Sequence, residues 1–475
     1  RSLCDWSSDV CSSDLAAREQ LAGAATAPPA AAQSLRAEAA LRLLQMNHVP
    51  EGMAVLGDAL SQVGHPIPAT PWRSLVSVLW RRAWLRVRGL RFRERPEAEI
   101  PPEKLAVVDT LWAAAVGLAT FHQVRSADFH ARGLMLALSL GEPRRMARAV
   151  AMEMLHTATA GAQTAPRATF LLALSQRLAE QSNDPRIQAG LGVNDGIAKF
   201  LLGEFDAARQ RLLAADGQLL QLPMGRAWER DNLYRFLVRT LTLLGDVREL
   251  GMLLRELIRD AAARGDEQVS THVQLRAGHL LRMAADDVEG AEEDADGFMA
   301  ALAQPGFQIQ DLVHLVARTE LALYSGAVTL AWNRLEQAWP TLVRTLLLRV
   351  QVTRVEAAWL RGRTALAVLR SLRHDDARRA RFVVVVREER DALLGERAPW
   401  AVALGELLAG ALGRALGEAG ADDRILAAAS HAEAAGLRLH AALSRVSVGP
   451  HEGADAWLAD QGVVDPERLA KVYLP

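Results

Sequence analysis

The sequence predicts an all-α protein built from stacked helical hairpins, and three observations lead to that prediction. Strong helix formers (Leu, Ala, Arg and Glu) fill most segments, and apolar residues recur at intervals of three and four. Gly and Pro interrupt these segments often enough to leave helices of about 12–20 residues, with breaks predicted at 141–143, 183–185, Gly203 and Pro340 among others. A turn also recurs with a period of about 40 residues. Together they predict an α-α superhelix, a solenoid of helical hairpins.

Composition excludes several classes of protein. The chain has 475 residues, of which 50% are hydrophobic and 23% charged, so it can bury a large core. Its 55 basic and 56 acidic residues leave a net charge of −1. Because the chain has no overall excess of positive charge, nucleic acid is not an expected partner. We also find no segment that predicts a transmembrane helix.

The first fifteen residues, RSLCDWSSDVCSSDL, differ from everything downstream and contain both cysteines, Cys4 and Cys11. The string DVCSSDL resembles the conceptual translation of a sequencing adapter. We therefore expect residues 1–15 to be an assembly artefact and disordered, and the chain to be a fragment of a longer protein. The remaining sequence lacks cysteine, which excludes disulfides, thiol catalysis and Cys-ligated zinc, and suits a reducing cytoplasm.

Four further regions follow along the chain. Residues 16–70 predict an N-terminal hairpin, and residues 71–96 a basic amphipathic helix. Residues 97–340 predict the solenoid, and residues 341–475 helical repeats that have lost the register. Within the last region, the β-branched run at 382–386 would suit a strand, but its Arg-rich helical flanks favour a helix.

The clearest repeat follows one pattern of small and large residues, at Gly196, Gly203, Phe205, Ala208, Leu212 and Ala215. This spacing resembles the tetratricopeptide (TPR) repeat, in which small residues lie where two helices cross. Weaker copies have their turns at Gly245, Asp286 and Gly326. Successive turns lie 42, 41 and 40 residues apart, so the helices should be longer than those of a standard TPR.

Several segments are similar to those of a known family, namely residues 88–106, 109–112, 127–131 and 140–143. They resemble the TPR-like helical C-terminal region of large bacterial serine/threonine kinases of the myxobacterial type. The resemblance implies a kinase domain upstream, often accompanied by an ATPase domain. No kinase signature lies in this chain itself.

Motifs for catalysis or cofactor binding do not emerge from the sequence. None of the three lysines belongs to a phosphate-binding loop. Ser139 lacks the strand that a nucleophile elbow requires, and His272 and His279 have no partner at metal-ligand spacing. The acidic stretch 286–297 lacks the terminal glutamate of a calcium loop and predicts a solvated helix face. We expect no enzyme activity in this chain, no cofactor and no metal.

The basic helix is the strongest local anomaly. Its apolar residues form one helical stripe, made of Trp72, Leu75, Val76, Leu79, Trp80, Trp84, Val87 and Leu90. Its candidate interaction residues are Arg81, Arg82, Arg88 and Arg91. The favoured interpretation packs the tryptophan stripe against neighbouring hairpins, which would avoid the cost of exposing it to water. An acidic protein surface and an anionic membrane surface are alternatives, and membrane-surface contact is the least favoured.

A second candidate site is the concave face of the solenoid. Counting back from the repeat turns places five residues there: Asn232, Arg235, Arg239, Arg276 and Glu320. An arginine-rich face would favour an acidic or phosphorylated segment. The alternative is a shift in register that turns these arginines towards solvent or towards acids on the next hairpin.

These observations predict a non-catalytic, cytoplasmic TPR-like scaffold or regulatory region, which binds protein segments or its own upstream domain within a kinase signalling protein. The alternative is a ligand-sensing helical array of a signal-transduction ATPase or regulator, with a small molecule in the superhelix groove.

Overall fold

The computed structural model describes residues 8–45, 48–68, 70–119, 122–182, 184–222, 227–264, 267–302 and 306–475. Within these ranges the chain forms 23 α-helices and three short 3₁₀ helices, and no strand. The all-α fold class is therefore confirmed. A search of the same residues for a helix both long and apolar enough to cross a bilayer finds none.

The helices fall into three groups along the chain. The first comprises α1 (Ser8–Ala24), α2 (Pro29–Gln45), α3 (Val49–Gln62), α4 (Pro71–Arg88), α5 (Pro102–Gly117), α6 (Gln123–Leu140), α7 (Pro143–Ala158) and α8 (Ala165–Ser182). The second comprises α9 (Pro185–Leu202), α10 (Phe205–Leu220), α11 (Ala227–Leu244), α12 (Val247–Arg264), α13 (Glu267–Ala284), α14 (Ala291–Leu302), α15 (Ile309–Tyr324) and α16 (Val328–Arg344). The third comprises α17 (Gln351–Ser371), α18 (Arg379–Gly395), α19 (Pro399–Ala415), α20 (Ala421–Ala434), α21 (Arg438–Val448), α22 (Glu452–Asp460) and α23 (Pro466–Tyr473).

Local sequence explains many of these boundaries. Proline opens α7 and α9, at Pro143 and Pro185, where its missing N–H would have no helical partner in any case. Gly141 and Gly203 end the preceding helices with φ of 74° and 82°, a left-handed conformation that favours glycine. The predicted turns at these positions are confirmed.

The helices pack in chain order. The two helices of a hairpin pack on each other, as in α7–α8, α9–α10 and α19–α20, and the first helices of successive hairpins also touch, from α7 to α19. At Gly196 a Cβ would lie 2.7 Å from the Leu212 side chain, so α9 and α10 cross at a distance that only glycine permits. The predicted close crossing at this position is confirmed.

The C-terminal helices pack back onto the first helices of earlier hairpins. α17 contacts α9, α21 contacts α11, and α23 contacts α13 and α15. A Cβ at Gly203 would lie 2.5 Å from Nε1 of Trp400, and the backbone N–H of Val464 donates to the carbonyl of Ala284 at 2.8 Å. One continuous hydrophobic core consequently runs from Leu85 to Leu474.

The basic helix ends earlier than predicted. α4 stops at Arg88, and Gly89 follows with φ of 71°. The chain then runs extended, and the backbone N–H of Arg95 donates to the carbonyl of Gly141 at 3.0 Å. The region 71–96 is therefore a helix followed by an extended segment, because glycine at positive φ interrupts the helical hydrogen bonds.

Pro340 does not end a helix, contrary to the predicted break there. α16 continues through it to Arg344, although proline cannot donate a hydrogen bond to the preceding turn. Leu335 and Leu342 lie on either side of Pro340 and are both completely buried. Packing on both sides therefore holds the helix together across the proline.

We expected residues 1–15 to be disordered, but residues 8–15, the part of this segment that the structure describes, are helical. α1 begins at Ser8 and includes residues 8–15, whereas residues 1–7 lie outside the described residues. Extending an existing helix adds one hydrogen bond for each residue that becomes ordered, so α1 can continue through residues 8–15.

The β-branched run at 382–386 is helical, as predicted. It lies within α18, where Phe382, Val385 and Val386 are buried and Val384 is exposed. This spacing of three and four follows the helical period, so burial on one helix face outweighs the local β-propensity.

Candidate functional site

The apolar side of α4 faces solvent. It consists of Trp72, Val76, Leu79, Trp80, Trp84 and Val87, which we call the tryptophan face. The exposed fractions are 69% for Trp72, 60% for Trp80 and 90% for Val87. The favoured prediction that neighbouring hairpins cover the tryptophan stripe is therefore wrong for these six residues, whereas Leu75 and Leu90 are half-buried.

The opposite side of α4 packs on the protein through the buried Leu85 and through polar contacts, and these contacts set the orientation of the helix. Ser77 donates to the Asp128 carboxylate at 2.5 Å, and Arg82 pairs with Glu153 at 2.6 Å. Asp128 is completely buried, so turning the helix over would remove a donor from a carboxylate that cannot reach water. The carboxylates of Asp128 and Glu153 beneath α4 thus determine which side of the helix faces the protein.

Glu153 remains charged in this interior. Burial acts to raise the pKa of its carboxyl, but the hydrogen bond with His130 and the charge of Arg82 together lower that pKa to about 2. Burial lowers the pKa of His130 and also that of His156, whose ring centroid lies 4.8 Å from that of His130. The Glu153 carboxylate is therefore charged at neutral pH and forms an ion pair with Arg82.

The candidate arginines of this region divide into two groups. Arg81 and Arg82 point inward to Asp128 and Glu153. Arg88 lies beside the Trp84 ring, 5.6 Å from its centroid, and Arg91 is exposed on the extended segment after the helix. Only part of the predicted set therefore reaches solvent.

Three other arginines that belong to the predicted basic region, Arg73, Arg86 and Arg93, were not among its candidate interaction residues. All three are exposed, and with Arg91 they form a set that we call the flanking arginines. Among the described residues no acid forms an ion pair with any of the four. A helical projection of the sequence would have placed Arg73 and Arg86 beside the tryptophans and Arg81 on the opposite side. The positions of the apolar residues in the sequence do not show which side of the helix faces outward.

Two predicted groove arginines lie at an internal ion pair. Arg239 on α11 and Arg276 on α13 both bind Glu356 on α17, at 2.9 Å and 2.6 Å. Burial and the neighbouring Arg276 lower the pKa of Arg239 to about 10. We predicted that a bound segment would supply the acidic partner of these arginines. The partner is instead Glu356 of α17.

Glu320 lies at a second internal contact. It pairs with Arg363 of α17 and with His279, whose Nε2 lies 2.9 Å from the carboxylate. Arg363 also donates to the carbonyl of Val472 at 2.8 Å. Asn232 and Arg235 are half-buried on α11. The five residues thus do not line one open face, because Glu356 and Arg363 of α17 bind three of them.

His440 lies in this same interior and makes stability dependent on pH. Its ring contacts Trp359 and Tyr473, with centroid distances of 5.7 Å and 4.9 Å. Burial, with a contribution from nearby Arg363 that Glu320 opposes, lowers the pKa of His440 to about 3. Imidazole is thereby neutral in the folded protein at pH values where the unfolded chain binds a proton.

We expect the free energy of unfolding to fall by about 2 kcal/mol between pH 7 and pH 5 through His440 alone. The pKa of His440 is lower in the folded protein than in the unfolded chain. Below the unfolded pKa the unfolded chain therefore binds a proton that the folded protein does not bind, and the free energy of unfolding falls as pH falls. Urea unfolding at both pH values tests this. His440→Phe should reduce this fall by about 2 kcal/mol and leave the part that other buried histidines such as His130 contribute, whereas the exposed His374→Ala should not reduce it. An unchanged fall in His440→Phe would show that another group is responsible.

The remaining candidates have structural partners. Glu292 of the acidic stretch binds Arg318 and Arg334, and Asp294 binds Arg282. The Ser139 hydroxyl donates to the carbonyl of Leu136 at 2.7 Å. In the part of the chain that the structure describes, no group of three His, Cys, Asp or Glu side chains could hold a metal ion. The acidic residues of this stretch thus form ion pairs with arginines of neighbouring helices.

Comparisons with known proteins leave the family open. The resemblance to the C-terminal regions of myxobacterial-type kinases therefore stays a prediction. No family model, curated protein or solved structure matches this chain.

Proposed function

We propose that the chain is a non-catalytic, TPR-like scaffold or regulatory region of a cytoplasmic bacterial serine/threonine kinase signalling protein. It binds protein segments or its own upstream domain. The observation that carries this proposal is the packing of hairpins in chain order, with contacts between the first helices of successive hairpins. Repeat arrays of this kind present long surfaces to protein ligands.

The recurring turns support the repeat. Gly203, Gly245 and Gly326 have φ of 82°, 79° and 76°, and Asp286 has φ of 53°. Four turns at spacings of 40–42 residues thus share one left-handed conformation. A solenoid with a period of about 40 residues accounts for this regularity.

The C-terminal helices cover the first helices of the hairpins, so the proposal assigns partner binding to the outer side. Second helices carry exposed apolar residues there, including Leu213 on α10, Met252 on α12 and Leu330 on α16. Exposed apolar side chains on adjacent second helices are suitable contacts for a protein segment.

Titration calorimetry tests the proposal. The protein encoded directly upstream, in the uninterrupted reading frame, is titrated into the chain as a separate polypeptide. We expect binding that Leu213→Glu with Met252→Glu weakens at least about tenfold, a change of about 1.4 kcal/mol. The matched control is Leu79→Ser with Trp80→Ser on α4, which should bind normally.

Two outcomes would contradict the proposal. One is the absence of a kinase domain upstream together with no binding by the encoded segment. The other is a rise of several degrees in melting temperature with a small metabolite, which would favour the ligand-sensing alternative.

A further inference from the structure

We propose that α4 docks on an anionic lipid surface, with the tryptophan face in the headgroup region and the flanking arginines on lipid phosphates. This inference is independent of the proposed scaffold function. It begins from the orientation of the helix, because α4 turns Ser77, Arg81 and Arg82 to the protein and leaves the six residues of the tryptophan face in solvent. An ordinary surface helix buries most of its large apolar residues.

The geometry of α4 suits a flat surface. Its 18 residues span about 27 Å at 1.5 Å per residue, and the tryptophan face runs along that whole length, from Trp72 to Val87. The helix packs chiefly on α6, so its outer side lies at the periphery of the protein. Apolar side chains on one side of a peripheral helix can enter a membrane interface together.

The orientation is fixed before any docking. Ser77 and Arg81 contact Asp128, and Arg82 contacts Glu153. These contacts leave the tryptophan face outward without requiring the helix to rotate or refold. The protein therefore presents the apolar face in advance, which removes the cost of ordering a helix at the surface.

The charges around the face select an anionic partner. α4 contains no acidic residue, and the flanking arginines Arg73, Arg86, Arg91 and Arg93 have no ion pair among the described residues. Each basic side chain near an anionic bilayer favours binding. Two copies of this face would instead bring like charges together, which disfavours a dimer through α4.

The residue types favour lipid over an acidic protein. Three tryptophans lie on the face, and tryptophan is enriched at membrane interfaces because its ring is apolar and its N–H can remain near water. A protein partner would need a groove complementary to one projecting helix, whereas a fluid lipid surface adapts to its shape. Arginine stems can also lie along the apolar layer while their charged ends reach phosphates.

Co-sedimentation of the full chain with vesicles tests this proposal. One set contains phosphatidylcholine alone and the other contains phosphatidylcholine with phosphatidylglycerol. We expect binding to the anionic vesicles at least tenfold stronger than to the neutral ones, and weaker binding as salt rises. Leu79→Ser with Trp80→Ser, and separately Arg73→Glu with Arg86→Glu, should each reduce the bound fraction at least about fivefold.

Matched controls change the same chemistry elsewhere. Phe170→Ser removes an exposed aromatic ring from α8, and Arg373→Glu with Arg387→Glu reverses two exposed charges in the C-terminal region. Both controls should bind anionic vesicles like the unaltered chain. All variants should keep its melting temperature within about 2 °C, because the substituted side chains are exposed.

Three results would overturn the proposal. The unaltered chain could stay in the supernatant with anionic vesicles, or the α4 variants could bind as well as the controls. An acidic amphipathic peptide that binds this face while vesicles do not would assign the surface to a protein partner instead.

Discussion

Substituting Glu356 by glutamine is expected to destabilise the protein by about 3–5 kcal/mol. Glu356 is the common partner of Arg239 and Arg276, which approach it from α11 and α13. Although burial acts to raise the pKa of Glu356, the two arginines lower it, so the carboxylate is charged in the folded protein. Without that charge, two buried guanidinium groups face each other. Urea unfolding at pH 7 measures the loss.

Two comparisons separate charge from packing. Asp460→Asn breaks the exposed pair with Arg248 and should cost less than about 1 kcal/mol. Replacing Glu356, Arg239 and Arg276 together by methionine should recover most of the stability, because no unmatched charge remains. If Glu356→Gln costs no more than Asp460→Asn, then the cluster does not hold α17 in place.

Gly245→Ala is expected to cost about 3–4 kcal/mol. Gly245 has φ of 79°, which strains an alanine by about 1–2 kcal/mol. Its new Cβ would also lie 2.1 Å from Cβ of Leu439 and 2.8 Å from the backbone nitrogen of that residue. Relieving this overlap must move α21 away from α11, which adds the cost of an overpacked core. Urea unfolding measures the sum, and hydrogen exchange in α21 should rise.

Gly326→Ala is the matched control for this prediction. Gly326 follows α15 as Gly245 follows α11, with φ of 76°, but a Cβ there meets no atom within 4 Å. The control should therefore cost only the conformational strain, about 1–2 kcal/mol. Equal losses in Gly245→Ala and Gly326→Ala would argue against close packing between α11 and α21.

Hairpin boundaries were predictable because local chemistry determines them. Proline at Pro143 and Pro185 begins a helix, and glycine at Gly141 and Gly203 ends one, without help from distant residues. The exception is Pro340, where burial of the adjacent leucines maintains the helix. A local rule fails where packing supplies more free energy than the broken hydrogen bond costs.

The position of the C-terminal third was not predictable from the repeat. The repeat pattern records contacts between neighbours in sequence, whereas Glu356 meets Arg239 across 117 residues. Nothing in the local spacing of Arg239 distinguishes an arginine on an open groove from one that α17 covers. The groove prediction assumed that these arginines had no acidic partner within the chain, and Glu356 is such a partner.

Composition, periodicity and turn residues are sufficient to predict that the chain is helical, where most hairpins turn, and that α4 carries an apolar stripe among many arginines. The packing of the helices is needed to show that the tryptophan face of α4 points outward and that α17, α21 and α23 contact helices much earlier in the chain. Periodicity defines the sides of a helix but carries no information about which side meets a neighbour. That choice depends on buried partners such as Asp128 and Glu153, which lie far away in sequence and are brought together only when the helices pack.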